Sequence, residues 1–325
     1  MNTAALPLAA SASDLRTARD ARADRLFRWL LTAAGLFVLA SLVGAALSML
    51  WGGREALQEF GLGFFTSTEW NVGARKFGAL VPIYGTLVSA SIAMIIAVPV
   101  SFGIALFLTE VAPTWMRGPV GMAIELLAGI PSIIYGMWGL FVLAPQLSEH
   151  VYPWLDENLG QIPGIGVLFA GPPLGIGMLT AGLVLAIMVI PFVSSVMREV
   201  FLTVPGRLKE SAYALGSTRW EVMWDIVLPY TRSAVIGGVF LGLGRALGET
   251  MAVTFVIGNA YAISAALLEP GTSIAATIAN EFAEATDPLH RGSLLLLGFT
   301  LFLLTFIVLA IARLMLRQLA KREGN

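Results

Sequence analysis

Cysteine is absent from all 325 residues. That excludes a disulfide framework, a thiolate nucleophile and a cysteine metal site. Histidine is nearly as scarce. His150 and His290 are far apart in sequence, neither sits in an HExxH pattern, and each reads as an ordinary loop residue. No metal site, cofactor or catalytic residue is expected. The lysines are Lys76, Lys209 and Lys321, and none follows a glycine. The G-x-x-x-x-G-K-[ST] loop, which holds nucleotide phosphates on backbone amides and a lysine, is therefore missing, and the chain is not itself an ATPase of that kind. Charge is short as well: 13% of residues are charged, against roughly 25% in soluble globular chains. The formal net charge of −1 gives no reason to expect a nucleic-acid partner.

What the chain does have is hydrocarbon, 57% of its residues, gathered into charge-free blocks. A bilayer core of about 30 Å is crossed by about 20 apolar residues in a helix. Six blocks qualify, at about 29–51, 80–109, 119–145 (interrupted only by Glu125), 173–197, 231–258 and 292–313. The reading is an all-α, polytopic membrane protein with six transmembrane helices. Residues 1–25 read as a mobile tail, 26–316 as the membrane domain and 317–325 as a second tail. The first block is longer than a signal-peptide core and reads as a retained span.

Lysine and arginine set the orientation. With the N-terminus inside, fifteen basic residues fall in cytoplasmic segments and four outside; the twentieth, Arg245, lies within a span. An even number of spans is needed to keep that asymmetry, so both termini are expected in the cytoplasm. Prolines 82, 99, 131, 172, 173 and 191 lie in or at the ends of spans two to four. They fit either a path-forming bundle with re-satisfied backbone groups or the ordinary frequency of proline in membrane helices.

The fifth block carries the most informative stretch, GGVFLGLGRALGETMAV at 237–253. Arg245 and Glu249 stand four residues apart there, which in a helix places them on one face, with Gly242 and Gly238 on the same stripe and Thr250 beside them. Charge within a bilayer costs at least about 2.5–3.5 kcal/mol on insertion scales and so faces the protein interior or water. The glycines would let another backbone, or a hydrated substrate, come close. The sharper reading is an anion pathway, with Arg245 as a transient positive site and Glu249 keeping it from becoming a trap. The plainer reading is an ion pair that pins helix packing.

Residues 198–230 form the longest inside loop. Two short helices fit it: one around 206–215 stopped by Gly216, and one after Thr218, which with Glu221 makes a capping box, ending at Pro229. Trp220, Trp224 and Ile226 give this pair large apolar groups that need a membrane surface or a partner groove. ESAYALGSTRWEVMWDIVLP at 210–229 resembles the EAA loop of ABC-importer permeases, with Glu210, Ala212, Gly216, Ile226, Leu228 and Pro229 at the motif positions and Ser211 a small-for-small departure. The resemblance implies a type I ABC-importer permease fold. It also implies that this loop, including Trp220, docks into a separate ATPase. FFTSTEWN (64–71), FGALVPIYGTLVSASIA (77–93), PVSFGIALFLTE (99–110), ELLAGIPSIIYG (125–136) and GRALGETMAV (244–253) resemble, more narrowly, the phosphate-importer permeases of the PstC type rather than the PstA type.

That likeness implies an inner-membrane subunit that moves inorganic phosphate. Its implied partners are a second permease of the PstA type, two ATPase subunits, a periplasmic phosphate-binding protein and membrane lipid. A different oxyanion, or a phosphate-sensing signalling role, is the alternative. An ion-driven carrier has no need of the EAA loop, and an intramembrane enzyme lacks any nucleophile–base spacing. In the outer loop, Ile274, Ile278 and Phe282 form an apolar stripe that would cap the path, meet the binding protein or pack onto the bundle.

Overall fold

The computed structural model describes the backbone of residues 12–323 and the side chains from Ala23 to Leu316. It divides after Trp51 into two units. The first is α1 (Ala12–Gly52), of which Ala23–Gly52 is long and apolar enough to cross a membrane. Residues 12–25, assigned above to a tail, are helical, because Ala, Leu and Arg without Gly or Pro extend a helix already nucleated by the span. The rest of that tail, residues 1–11, lies outside the described residues.

The second unit is built from α2 (Arg54–Phe60), α3 (Leu80–Leu106), α4 (Thr114–Ala128), α5 (Ser132–Trp138), α6 (Ala144–Gln146), α7 (Tyr152–Asn158), α8 (Met178–Leu202), α9 (Gly206–Ala214), α10 (Arg219–Val222), α11 (Leu228–Leu247), α12 (Met251–Thr254), α13 (Ile274–Glu281) and α14 (Pro288–Glu323). No strand occurs among the described residues. Of the tail proposed at 317–325, residues 317–323 continue α14 and the last two lie outside the described residues.

Five helical stretches are long and apolar enough to span a bilayer: Ala23–Gly52, Leu80–Val111, Met178–Leu202, Arg219–Leu247 and Pro288–Leu316. The remaining block is a bent helix pair, a broken span or a re-entrant loop. Thr114–Ala128 and Ser132–Asn158 meet at 88°. Pro131 removes an amide and turns the preceding residue away from helix. The Tyr135 hydroxyl donates to the Leu127 carbonyl at 2.9 Å, giving a partner to a backbone group near the break.

The core lies where α3 crosses α8. Ala90, Ala93 and Ala97 of α3 are buried with Ala181, Val184, Leu185 and Val189 of α8. At Gly182 a Cβ would fall 2.5 Å from Ile92 Cγ2, so this crossing needs a glycine. Hydrocarbon gains little from leaving lipid, and small residues instead let helices meet closely enough for van der Waals packing.

The order of contacts fixes the two ends of the bundle. At one end the Thr86 hydroxyl of α3 accepts the Ile274 amide of α13. At the other, Lys209 of α9 reaches Glu110 just past α3.

Candidate functional site

Arg245 sits in the last turn of α11, where the negative end of the helix dipole favours a cation. Its guanidinium lies 5.7 Å from the centre of the Phe192 ring, close to the middle of α8. The residue is therefore near mid-bundle, and it is exposed.

The helix stops there. α11 ends at Leu247 with Gly248 as its cap, and the chain turns through Glu249 and Thr250 before the short α12. Seven residues on, Val256 is level with the start of α8, where its carbonyl accepts the Gly177 amide at 2.9 Å. Span five is thus a discontinuous helix, broken where Arg245 stands. The expectation of one helix through 231–258 is corrected accordingly. Non-helical backbone at membrane depth is tolerated where protein or a wet cavity surrounds it, and transporters place binding groups at such breaks.

The shared face of Arg245 and Glu249 is corrected with it. No ion pair joins them among the described residues, so the packing ion pair has no counterpart in the structure. Glu249 Oε1 instead accepts the Ala252 amide at 3.3 Å and caps α12. Glu249 and Thr250 are half-buried, and the Thr250 hydroxyl leans back on the Gly248 carbonyl at 3.4 Å.

Gly238 and Gly242 do not line open space. A Cβ on Gly238 would come within 2.8 Å of Val196 Cγ1, and one on Gly242 within 2.5 Å of Val193 Cγ2. Of the two approaches the glycines could permit, the structure contains that of α8. Their assignment to the substrate stripe is corrected to close helix packing, which seats α11 and so positions Arg245.

The segment 206–229 folds as a helical pair with one change. α9 ends before Gly216, whose φ of +92° is the left-handed conformation that favours glycine. The capping box forms: the Thr218 amide donates to Glu221 Oε2 at 2.7 Å and the Glu221 amide to Thr218 Oγ1 at 3.3 Å. Pro229 does not end the second helix. Met223–Val227 make one wide turn and α10 runs on into α11 as a single helix, Arg219–Leu247. The wide turn re-routes the carbonyl that a proline ring would otherwise strike. Ala212 is buried, Ile226 and Leu228 are half-buried, and Glu210, Trp220 and Pro229 are exposed. Trp220 packs edge-on against Trp224 at 5.4 Å, and Trp224 lies 5.8 Å from Phe102 of α3, so the pair is tied to the bundle on one side and bare on the other.

Three polar clusters escaped the sequence reading. Glu125, noted there without a partner, accepts Arg198 at 3.1 Å, and the guanidinium lies across Gly121, where a Cβ would be 2.8 Å from Nη1. Lys209 pairs Glu110 at 2.5 Å with both side chains largely buried. At the α13 end, Glu281 accepts Trp70 Nε1 at 2.9 Å, the Tyr261 hydroxyl and His290 Nε2 at 2.8 Å. His290 is not a loop residue: it is buried in the first turn of α14 and stacks on Phe77 at 5.2 Å. Burial and the Glu281 carboxylate push the Tyr261 phenol up, so it stays protonated as a donor. Apart from Glu281 with His290 and Tyr261, these pairings span residues distant in sequence, and only the isolated Glu125 gave any warning.

Ile274 of α13 is buried, Ile278 is half-buried and Phe282 is exposed, with Arg291 5.6 Å over its ring; α13 packs on α3, α12 and α14. Replacing Glu281 by Ala leaves three donors without their acceptor and is expected to cost about 3 kcal/mol. The check is the thermal midpoint of the purified protein. Glu281→Ala should lower it by several degrees and Glu281→Gln, which keeps an acceptor for Trp70, by less.

Set against known proteins, the sequence matches the family described as "Binding-protein-dependent transport system inner membrane component" over residues 29–321. It is 69% identical over 325 residues, all of both chains, to "Phosphate transport system permease protein PstC" of Xylella fastidiosa (strain 9a5c). The protein of the same name from Mesorhizobium japonicum is 55% identical over 320 residues, 98% of each chain. "Phosphate transport system permease protein PstC 2" of Mycobacterium tuberculosis is 41% identical, covering 93% of this chain and 94% of its own. Among solved structures, a chain of the "bacterial alginate ABC transporter in complex with alginate pentasaccharide-bound periplasmic protein" is similar in fold. Its TM-score is 0.61 at 18% identity, over 92% of this chain and 97% of that one.

Proposed function

Because the chain belongs to the binding-protein-dependent transport system inner-membrane components, we propose that it is the membrane-spanning permease subunit of an ATP-driven phosphate importer. The one structural observation that carries this reading is the mid-bundle break of span five, with Arg245 exposed there and unpaired by any described carboxylate. A phosphate ion crossing hydrocarbon needs a positive group at that depth, and the group must release it. Arg245 supplies charge and a planar fork of donors that matches a tetrahedral oxyanion. Glu249 and Thr250, on the non-helical turn, supply polar edges close by, and Glu249 lowers the net positive charge so that the anion leaves. Selection among oxyanions falls largely to the binding protein.

Energy comes from a partner ATPase that docks on α9 and α10. Exposed Glu210, Trp220 and Leu215 offer it a mixed polar and apolar surface, while buried Ala212 and the α10–α11 continuity carry its movement into span five. Because the second coupling helix and the helix bearing Arg245 are one rod, displacement at Arg219 is transmitted along the axis to the break. The complete importer then holds this chain, a second permease, two ATPase subunits and a periplasmic phosphate-binding protein. Purification of the tagged chain from its native membrane should bring the ATPase and the second permease with it. Recovery of the chain without either would sink the assignment.

The same reading places both termini in the cytoplasm, supported by the fifteen-to-four distribution of basic residues. Reporter fusions at Asn325 and in the loop 160–171 should report opposite sides of the inner membrane. The same side for both would overturn the orientation.

A further inference from the structure

At the α9 end of the bundle a cavity of about 440 Å³ opens between the α3–α4 junction and the coupling pair. Its polar lining is Thr109, Glu110, Arg117, Lys209, Tyr213 and Arg219. The charges in it are not evenly matched. Glu110 is already satisfied: Lys209 donates to it at 2.5 Å, and their side chains are only 8% and 17% exposed. Tyr213 stands beside the same carboxylate, its phenol pushed up by burial and by the Glu110 charge and so kept as a donor. That closed set leaves two guanidiniums over. Arg117 is anchored through Nε on the Ala112 carbonyl at 2.8 Å, with its terminal nitrogens uncommitted. Arg219 opens α10 and is exposed. Neither arginine pairs a carboxylate among the described residues.

We propose that this cavity is a second anion site, separate from the translocation path, which binds a phosphate group between Arg117 and Arg219. Two arginine forks from different elements lining one cavity suit the tetrahedral face of a phosphate better than a planar carboxylate, and each can bind in charge-assisted, bidentate fashion. The ligand is either free inorganic phosphate or the headgroup of an anionic phospholipid, since both present a phosphate to the two forks and basic pockets between membrane helices bind such headgroups. The site joins parts that must move relative to each other. Arg117 belongs to the first turn of α4, on the bundle, and Arg219 to the coupling pair. An anion between them clamps α10 to the α3–α4 junction and resists the displacement that drives span five. In the orientation given above, the cavity faces the cytoplasm, so accumulated phosphate would slow its own import.

The test uses the full chain purified in nanodiscs with the second permease and the ATPase subunits, without the periplasmic phosphate-binding protein, in the Arg245→Ala background so that the path does not contribute. In phosphatidylcholine discs, calorimetric titration with inorganic phosphate should show saturable binding. Arg117→Gln with Arg219→Gln should weaken it at least tenfold, and Arg117→Lys with Arg219→Lys should retain most of it. In discs containing phosphatidylglycerol, native mass spectrometry should show that lipid retained by the Arg245→Ala protein and lost from the double glutamine variant. Binding in the first arm alone identifies free phosphate as the ligand, and in the second alone the headgroup; either supports the site. Protection of Arg117 and Arg219 from phenylglyoxal by inorganic phosphate or by phosphatidylglycerol gives the same answer without those variants. No binding and no protection from either source, or equal binding in the glutamine variant, would overturn the proposal, whatever the outcome at Arg245.

Discussion

Arg245→Ala is expected to abolish most phosphate uptake while the complex still assembles and hydrolyses ATP. The side chain is exposed at a helix break near mid-bundle, so its removal withdraws charge from the proposed path and little packing from the core. An anion at that depth without a countercharge meets a barrier higher by enough to slow transport about a hundredfold. Arg245→Lys keeps the charge but loses the planar fork, and should retain about a tenth of the activity. Glu249→Gln keeps the α12 cap, because the amide oxygen can still accept the Ala252 amide, but it removes the charge that lets the anion leave, so turnover should fall, less steeply than in Arg245→Ala. The measurement is initial uptake rate beside ATPase rate in proteoliposomes. Equal loss in the arginine and glutamate variants would mean that the two act as one structural pair, contrary to the geometry.

Gly216→Pro is expected to uncouple the transporter. The native φ of +92° is out of reach of a proline, which is fixed near about −65°. The substitution also removes the amide that donates to the Tyr213 carbonyl at 3.0 Å. The turn between α9 and α10 then cannot form, and the surface proposed to dock the ATPase is lost. Uptake should fall at least tenfold, with ATP hydrolysis no longer stimulated by the binding protein and the spans still inserted. Gly216→Ala separates backbone from volume: nothing lies within 4 Å of a Cβ there, so the cost is backbone strain alone, about 1 kcal/mol. Uptake in that variant should fall only a few-fold. Normal coupling in the proline variant would show that the turn is not the docking element.

Much of this was legible in the sequence because a bilayer imposes a simple rule on composition. Charge-free blocks located the apolar helices, and local chemistry located the Gly216 turn and the Thr218–Glu221 box, since both depend on residues a few positions apart. Backbone direction was not legible. Hydropathy reports what leaves water and is indifferent to whether the chain bends, so the 88° turn at Pro131 and the break after Leu247 both hid inside apolar blocks. Pro229 misled in the other direction: a wide turn before it lets the helix continue. The glycine stripe was real, but its meaning depended on α8, which supplies the valines packed against Gly238 and Gly242. The pairings of Arg198 with Glu125, Lys209 with Glu110 and Glu281 with three partners are tertiary facts that no local spacing encodes. The Arg245–Glu249 spacing assumed one helix joining the two residues, and that helix ends between them.

The most direct test is uptake of radiolabelled phosphate into proteoliposomes holding the complete complex, with the binding protein supplied outside and ATP enclosed. Accumulation that requires ATP, continues when ion gradients are collapsed and disappears with Arg245→Ala is the predicted result. Uptake driven by an ion gradient without ATP, or undiminished in the Arg245→Ala complex, would contradict it.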